Sequence, residues 1–232
     1  IHGGFMVKKI LITGANGYTS QNIDKWLGRT PEIFVTRKIS LRDNEWKTED
    51  WSNYDAIIHT SGIAHIRSNS RNSEDYYRVN RDLAVEVAKK AKSDGIKQFV
   101  FFSSINVYGI RNFTSPIHLE TVPMPNTHYG RSKLLAEQGI SMLADKDFKV
   151  AILRLPMIYG KNAKGNFPKL VKCAKRLPLF PDYENSRSML FIDNLSEFVR
   201  VLLLNEEAGT FFPQNGEYVC TTKLVKEIAL YS

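Results

Sequence analysis

Tyr129 and Lys133 stand one helical turn apart in the run Tyr129-Gly130-Arg131-Ser132-Lys133. On a helix, side chains at that spacing share a face. An ammonium beside a phenol favours tyrosinate and lowers the phenol from its ordinary value of about 10. Such a Tyr can give or take a proton near neutral pH. A surface Tyr and a solvated Lys have the same spacing, so the motif alone does not decide. Ser104 sits in Phe102-Ser103-Ser104-Ile105-Asn106-Val107-Tyr108-Gly109, at the carboxyl end of an apolar run. Open α/β sheets bind ligands at that end. A hydroxyl there can hydrogen-bond a substrate oxygen beside the Tyr, although a serine also caps strand ends for turn reasons alone. The third run is Thr13-Gly14-Ala15-Asn16-Gly17-Tyr18-Thr19-Ser20. Gly14 permits a tight turn, and Gly17 lets backbone approach a diphosphate at a helix N-terminus. Ser20 stands where a third Gly is usual and is still small enough for helix–strand packing. The run reads as a dinucleotide loop, with a plain glycine turn as the alternative.

These residues need a scaffold. The chain has 232 residues, 43% hydrophobic, 24% charged and 11% aromatic. That length suits one large domain, or one with a small lid, and buries a core without staples. The aromatic content and frequent apolar runs exclude disorder. No apolar stretch nears the roughly 18 residues that span a bilayer, and residues 1–5 lack the features of a secretory signal. Cys173 and Cys220 are too few for a disulfide framework or a metal cluster, so two thiols in a reducing cytoplasm are expected. The net charge of +8 points to an anionic partner. Nucleic acid, membrane surface and nucleotide phosphates all fit it. The scattered placement of the basic residues argues against nucleic acid.

Short β-branched or aromatic runs predict strands at residues 8–13, 32–36, 55–60, 98–103 and 149–155. Amphipathic patterns predict helices at residues 19–28, 75–92 and 128–143. Strict alternation implies a doubly wound parallel sheet with helices on both faces. After Tyr159-Gly160 the texture changes. A helix at 166–176, a Pro-flanked loop at 177–182, a helix at 191–204 returning to the sheet, a strand at 216–220 and a helix at 222–229 are expected. Residues 1–5 read as a vector remnant before a natural start at Met6. The expected partition is a dinucleotide-binding domain at 6–160 and 188–205, with a small discontinuous C-terminal substrate lobe at 161–187 and 206–232.

Taken in order, TGANGYTS, HTSG (59–62), the helix bearing Asn80, SSINVYG, YGRSK, RLPMIYG (154–160) and SRSMLFIDNL (186–195) resemble the extended short-chain dehydrogenase/reductases. Within these, the chain resembles the NAD-dependent epimerase/dehydratase family of nucleotide-sugar enzymes, from Val7 to about Leu204. The resemblance implies a Rossmann-type fold binding NAD or NADP through Gly14, Asn16, Gly17, Tyr18, Thr19, Thr60, Ser61, Gly62, Asn80, Ser103 and Pro156. Asp43 falls where the family has an adenine-contacting acid. The resemblance makes Tyr129 the acid/base, sets Lys133 on the nicotinamide ribose and makes Ser104 the holder of the substrate oxygen. Hydride then passes between the nicotinamide and a sugar carbon, with the protein supplying position and field.

The residues after Ser104 narrow the chemistry. Dehydratases of the family carry an Asp-Glu pair where this chain has Ile105 and Asn106, and GDP-fucose synthases carry a Cys at the place of Ile105. What remains is redox chemistry at C4 of a UDP-hexose, as a 4-epimerase or a 4-keto reductase, for surface polysaccharide synthesis. Where an Asp would bind the adenosine ribose, the second strand offers Thr36-Arg37-Lys38. Arg37 suits a 2′-phosphate, which favours NADP and with it the reductase. KGNF at 164–167 resembles UDP-hexose 4-ketoreductases and 4-epimerases, which implies that Asn166 and Phe167 contact the nucleotide and Arg187 a phosphate. His59 and His65 are expected in structural roles, with no metal. Thr60 and Ser61 depart from the small apolar residues usual beside the cofactor. The chain stops at Tyr231-Ser232, where relatives carry more substrate lobe, so a shortened lobe is expected. The implied partners are a UDP-sugar and a second copy of the chain, with neither nucleic acid nor membrane. The rival reading is a non-catalytic NADP-binding sensor or scaffold, although such members lose the Tyr or Lys that this chain keeps.

Overall fold

The central strands carry apolar residues on both faces because helices cover both faces. In β1 (Lys8–Thr13), Ile10, Leu11 and Ile12 are all fully buried. β3 (Ala56–His59), β4 (Gln98–Ser104) and β5 (Lys149–Leu155) follow the same rule. The computed structural model describes residues 7–64, 73–109, 116–176, 182 and 184–231. The expected vector remnant, Met6, His65 and the loop at 177–182, apart from Asp182, lie outside the described residues.

With β2 (Phe34–Ile39) and β8 (Gly209–Phe211), these strands form a six-stranded sheet in the order β2-β1-β3-β4-β5-β8, parallel at every pairing. Ile10, Ile12 and Val100 pack under α1 (Tyr18–Leu27) and α6 (Ile192–Leu204). Leu11, Ile57, Phe99 and Phe101 face the other way, under α3 (Leu83–Ser93) and α4 (His128–Ser141). α2 (Ser73–Tyr76) runs through a π-helical turn (Tyr77–Asp82) into α3. The chain winds from β1 outward to β2 and then back across to β3, so a crevice opens between the carboxyl ends of β1 and β3. Beyond the main sheet, β6 (Met157–Tyr159) pairs with β7 (Met189–Phe191), and α5 (Asn166–Arg176) packs against α7 (Thr221–Leu230). No helix among the described residues is long and apolar enough to cross a membrane.

Three expectations are corrected. The second strand lies at Phe34–Ile39 rather than 32–36. A turn at Thr30 precedes it, and pairing with β1 from Lys8 to Thr13 sets its length, overriding the weak strand propensity of Arg37 and Lys38. The segment at 216–220 contributes one bridge, Arg187 to Val219, instead of a strand. β8 lies within 206–232, which was expected in the substrate lobe, yet it extends the main sheet beside β5. β6, β7 and β8 span three residues each, too few to show a period.

Phe99 is fully buried between His59 and Phe148. Phe99→Ala should cost about 3–5 kcal/mol of unfolding free energy, read by urea denaturation. A loss below about 1 kcal/mol would contradict this packing.

Candidate active site

At the crevice, β1 turns into α1 through a loop held by its own backbone. Gly14 has φ +81°, a left-handed conformation that favours glycine, and a Cβ there would sit 2.9 Å from Thr60 Oγ1. The N–H groups of Gly14 and Ala15 both donate to the Ile39 carbonyl, and Gly17 N–H donates to Gly14 O at 2.8 Å. The Ser20 hydroxyl donates to Gly14 O (2.5 Å) and lies 2.9 Å from Gly17 O. Ser20 therefore ties the turn as well as fitting under it. The first-turn N–H groups of α1 have no intrahelical acceptor and open on the crevice, an arrangement suited to an anion. Asn16 is exposed at the loop tip. Tyr18 brings its backbone to the helix start, but its ring packs into the core beside Phe191. Its phenol is buried without a hydrogen-bond partner among the described residues, and burial pushes it up.

The other wall is the end of β3. Thr60 Oγ1 donates to Thr13 O (2.6 Å), and the Ser61 hydroxyl donates to Thr13 Oγ1 (3.1 Å). Thr13 Oγ1 also lies 3.1 Å from His59 Nδ1. The two polar residues that depart from the family pattern thus strap β3 to β1. His59 stacks on Phe99 and Phe101, and burial first, then the Lys133 charge, lowers it to about 3. Next comes Gly62, beside Asn80 Oδ1 and Lys133 Nζ. Asn80, fully buried on the π-helical turn, clasps Ile63: its amide donates to Ile63 O at 2.9 Å and its oxygen accepts from Ile63 N at 2.8 Å. The same amide reaches Ser132 Oγ at 3.2 Å. Asn80 therefore acts on the crevice through the backbone it holds.

Thr127 caps α4 by accepting from Gly130 N–H at 3.0 Å. A Cβ on Gly130 would lie 2.3 Å from Asn106 O, so only glycine lets α4 press against the turn that follows β4. That contact brings Tyr129 to Ser104, whose hydroxyl is near enough to act on the phenol. Tyr76 meets the Tyr129 ring edge-on at 6.1 Å. The sequence predicts a lowered phenol, and the structure corrects this. Burial pushes Tyr129 up, the nearby Ser104 hydroxyl opposes that, and Tyr76 adds to it. Lys133 has no part in the shift because its chain turns inward. Its amine donates to Phe102 O at 2.8 Å and lies 4.8 Å from the centre of the Phe101 ring. Burial lowers the amine to about 8, opposed by the Glu137 carboxylate.

Other expected residues lie elsewhere. The Ser103 hydroxyl donates to the buried Glu137 carboxylate. Arg37 lies inside β2, level with Leu11, and pairs with Glu49 and with Tyr54 Oη (3.2 Å). Its guanidinium is already engaged on the sheet's flank, which removes the reason to assign it a 2′-phosphate. Asp43 is exposed beyond the end of β2, where it accepts from Glu45 N–H. Pro156 follows β5. Asn166 and Phe167 begin α5, with Phe167 5.5 Å from the Tyr159 ring. Arg187 is exposed at its bridge to Val219. Among the described residues, no contact ties Asn166, Phe167 or Arg187 to the Tyr129 group. Glu137, Arg154, Tyr108 and Tyr76 surround the site without having been singled out. Glu137 continues the stripe from Tyr129 through Lys133 at the same spacing, a signal the sequence did contain.

The family model described as NAD dependent epimerase/dehydratase family matches residues 10–213. The UDP-glucose 4-epimerase of Vibrio cholerae is 28% identical over 250 aligned positions, covering 97% of this chain and 76% of that protein. Among solved structures, MoeE5 in complex with UDP-glucose and NAD superposes with TM-score 0.81 at 18% identity, over 97% of this chain and 82% of that one. The UDP-glucuronic acid 4-epimerase from Bacillus cereus in complex with NAD gives TM-score 0.81 at 18% identity, over 97% and 85%. At these identities the structures show the fold: a Rossmann-type, doubly wound sheet.

The buried amine makes a stability prediction. In the folded chain it lies at about 8, below the ordinary lysine value of 10.5. Between those values the unfolded chain holds a proton that the folded chain has released, so stability rises with pH across that window. Lys133→Met should remove this rise. Relative to the parent chain, the variant should lose about 3 kcal/mol of advantage between pH 7 and 10.5 in urea unfolding. A difference independent of pH would contradict a buried, depressed amine.

Proposed function

The chain belongs to the NAD-dependent epimerase/dehydratase family, and from that premise we propose that it is a UDP-hexose 4-epimerase that uses NAD, with Tyr129 as its acid/base. The observation that carries this reading is the approach of Tyr129, at the start of α4, to Ser104 at the carboxyl edge of the sheet, where the serine hydroxyl opposes the effect of burial on the phenol.

The residues present suit a dinucleotide. The Gly14 turn leaves a cradle that a Cβ would fill, and α1 opens on it with free N–H groups. Gly62 keeps the space beside Lys133 open, and the Phe102 carbonyl takes one of the three hydrogens of that amine. In this reading the backbone at residues 14–19 holds the diphosphate, Asp43 faces the adenosine end and Lys133 binds the nicotinamide ribose. Bound there, the dinucleotide supplies a reversible hydride acceptor.

The rest falls to the chain. Tyr129 removes the proton from the C4 hydroxyl as that carbon is oxidised and returns it when the opposite face is reduced. Ser104 holds the same oxygen throughout. A phenol pushed up by burial needs a cation beside it to act as a base; in this reading that charge would come with the bound dinucleotide, while Lys133, turned inward to the Phe102 carbonyl, would hold its ribose. Ile105 and Asn106 carry no acid to expel water, so the reading stops at C4. Arg37 is engaged by Glu49 and Tyr54, which favours NAD over NADP and a recycling epimerase over a reductase. Phe167, packed at a tilt against Tyr159, and the exposed Arg187 are the groups we assign to the nucleotide and diphosphate of the substrate, in a lobe formed with α5 and α7.

Nucleotide released from the purified protein should be NAD, identified by mass spectrometry. Arg37→Ala should leave its amount within about threefold. NADP in its place, with stoichiometric NADPH consumption on a 4-keto sugar, would overturn the epimerase in favour of the reductase. With UDP-glucose or UDP-N-acetylglucosamine, proton NMR should show inversion at C4. Tyr129→Phe should slow that inversion by about 10²–10⁴-fold while bound NAD persists. Unchanged turnover in Tyr129→Phe would remove the proposed acid/base.

A further inference from the structure

Glu137 lies one turn beyond Lys133 on α4, and its side chain is only 4% exposed. Groups from two strands converge on its carboxylate. The Ser103 hydroxyl donates to it from the end of β4. From β5, Arg154 Nε lies 3.2 and 3.1 Å from the two carboxylate oxygens, and Nη2 donates at 2.7 Å. Arg154, 11% exposed, donates through Nη1 to Tyr108 Oη at 2.5 Å. Its guanidinium lies 5.1 Å from the centre of the Tyr108 ring and 5.9 Å from that of Phe212.

A buried ion pair is a poor way to gain stability, because two desolvated charges commonly do no better than an apolar pair of similar volume. Its placement is informative for another reason. Ser103 immediately precedes Ser104. Tyr108 ends the 3₁₀ turn (Ile105–Tyr108) that immediately follows it. Glu137 belongs to the helix that carries Tyr129 and Lys133. The pair therefore grips the chain on both sides of Ser104 and ties it to that helix.

We propose that Glu137, held by Arg154, is a positioning residue that fixes the segment around Ser104 against α4, so that the Ser104 hydroxyl meets the Tyr129 phenol. The proposal rests on the reading of those two hydroxyls as the reacting pair. The carboxylate has a second effect in the same direction, since it favours the charged form of Lys133 against burial.

The test is the double variant Glu137→Met with Arg154→Met, which replaces both charges by apolar chains, read against Glu137→Gln, which keeps size and one acceptor. Amide hydrogen exchange by mass spectrometry should quicken by about tenfold in the peptide covering residues 103–109 while peptides from β1 and β3 hold their rates. With a UDP-hexose, kcat should fall by about 10²-fold with KM within about threefold, the pattern of misplaced reacting groups. Glu137→Gln should show the same pattern more weakly, and it carries the test if the double variant does not fold. Exchange at 103–109 that stays at the parent rate, or that rises equally across the whole protein, would overturn the proposal, as would an unchanged kcat. If the parent chain turns over no UDP-hexose, the functional reading fails. The exchange pattern still decides whether the pair fixes this segment.

Discussion

A phenol and a serine hydroxyl are held together where β4 runs out, and both must be out of bulk water for the contact to matter. The rest of the structure serves that constraint. β4 is buried along its whole length, so its end is a fixed point. Two serines close it: Ser103 points beneath α4 to Glu137, as Phe99 and Phe101 do before it, and Ser104, at the last position of the strand, lies at the sheet edge near the start of α4 and Tyr129. α4 reaches that point only because Gly130 has no Cβ to strike the Asn106 carbonyl.

The electrostatics under the site follow from burial. His59 stays neutral well below its ordinary value, wedged on two phenylalanine rings with a cation nearby. The Lys133 amine sits lower than a solvated lysine, with one carbonyl to receive it and a carboxylate one turn away. Arg154 and Glu137 keep their charges because each finds the other together with neutral donors and acceptors. In a low-dielectric floor of this kind a charge brought to the crevice is felt strongly, which is the condition for moving a proton from a phenol.

Much of this was legible in residue order. Alternating apolar runs and amphipathic stretches fixed the doubly wound sheet, and the Gly14 loop could be placed because it joins the first strand to the first helix. What was not legible depends on pairing. The β2 register moved Arg37 from a strand tip into the strand, beside Glu49, and changed the expected cofactor preference. Helical spacing put Lys133 on the Tyr129 face, but the direction of a long flexible chain is set by the nearest buried acceptor, here the Phe102 carbonyl. The bond from Ser103 to Glu137 was not legible, because the position of Glu137 in space is not written next to it in the chain. Likewise Arg154 lies on a different element from its carboxylate, and only the folded sheet brings them together.

The most direct measurement is an ultraviolet difference titration of the Tyr129 phenol, taken as the chain minus Tyr129→Phe, with and without saturating NAD. Without NAD the phenol should ionise above its ordinary value of about 10, as burial requires. With NAD bound it should ionise at least about one pH unit lower, because a positive charge then stands in the crevice beside it. A midpoint that NAD does not move would contradict the placement of this phenol at a dinucleotide site.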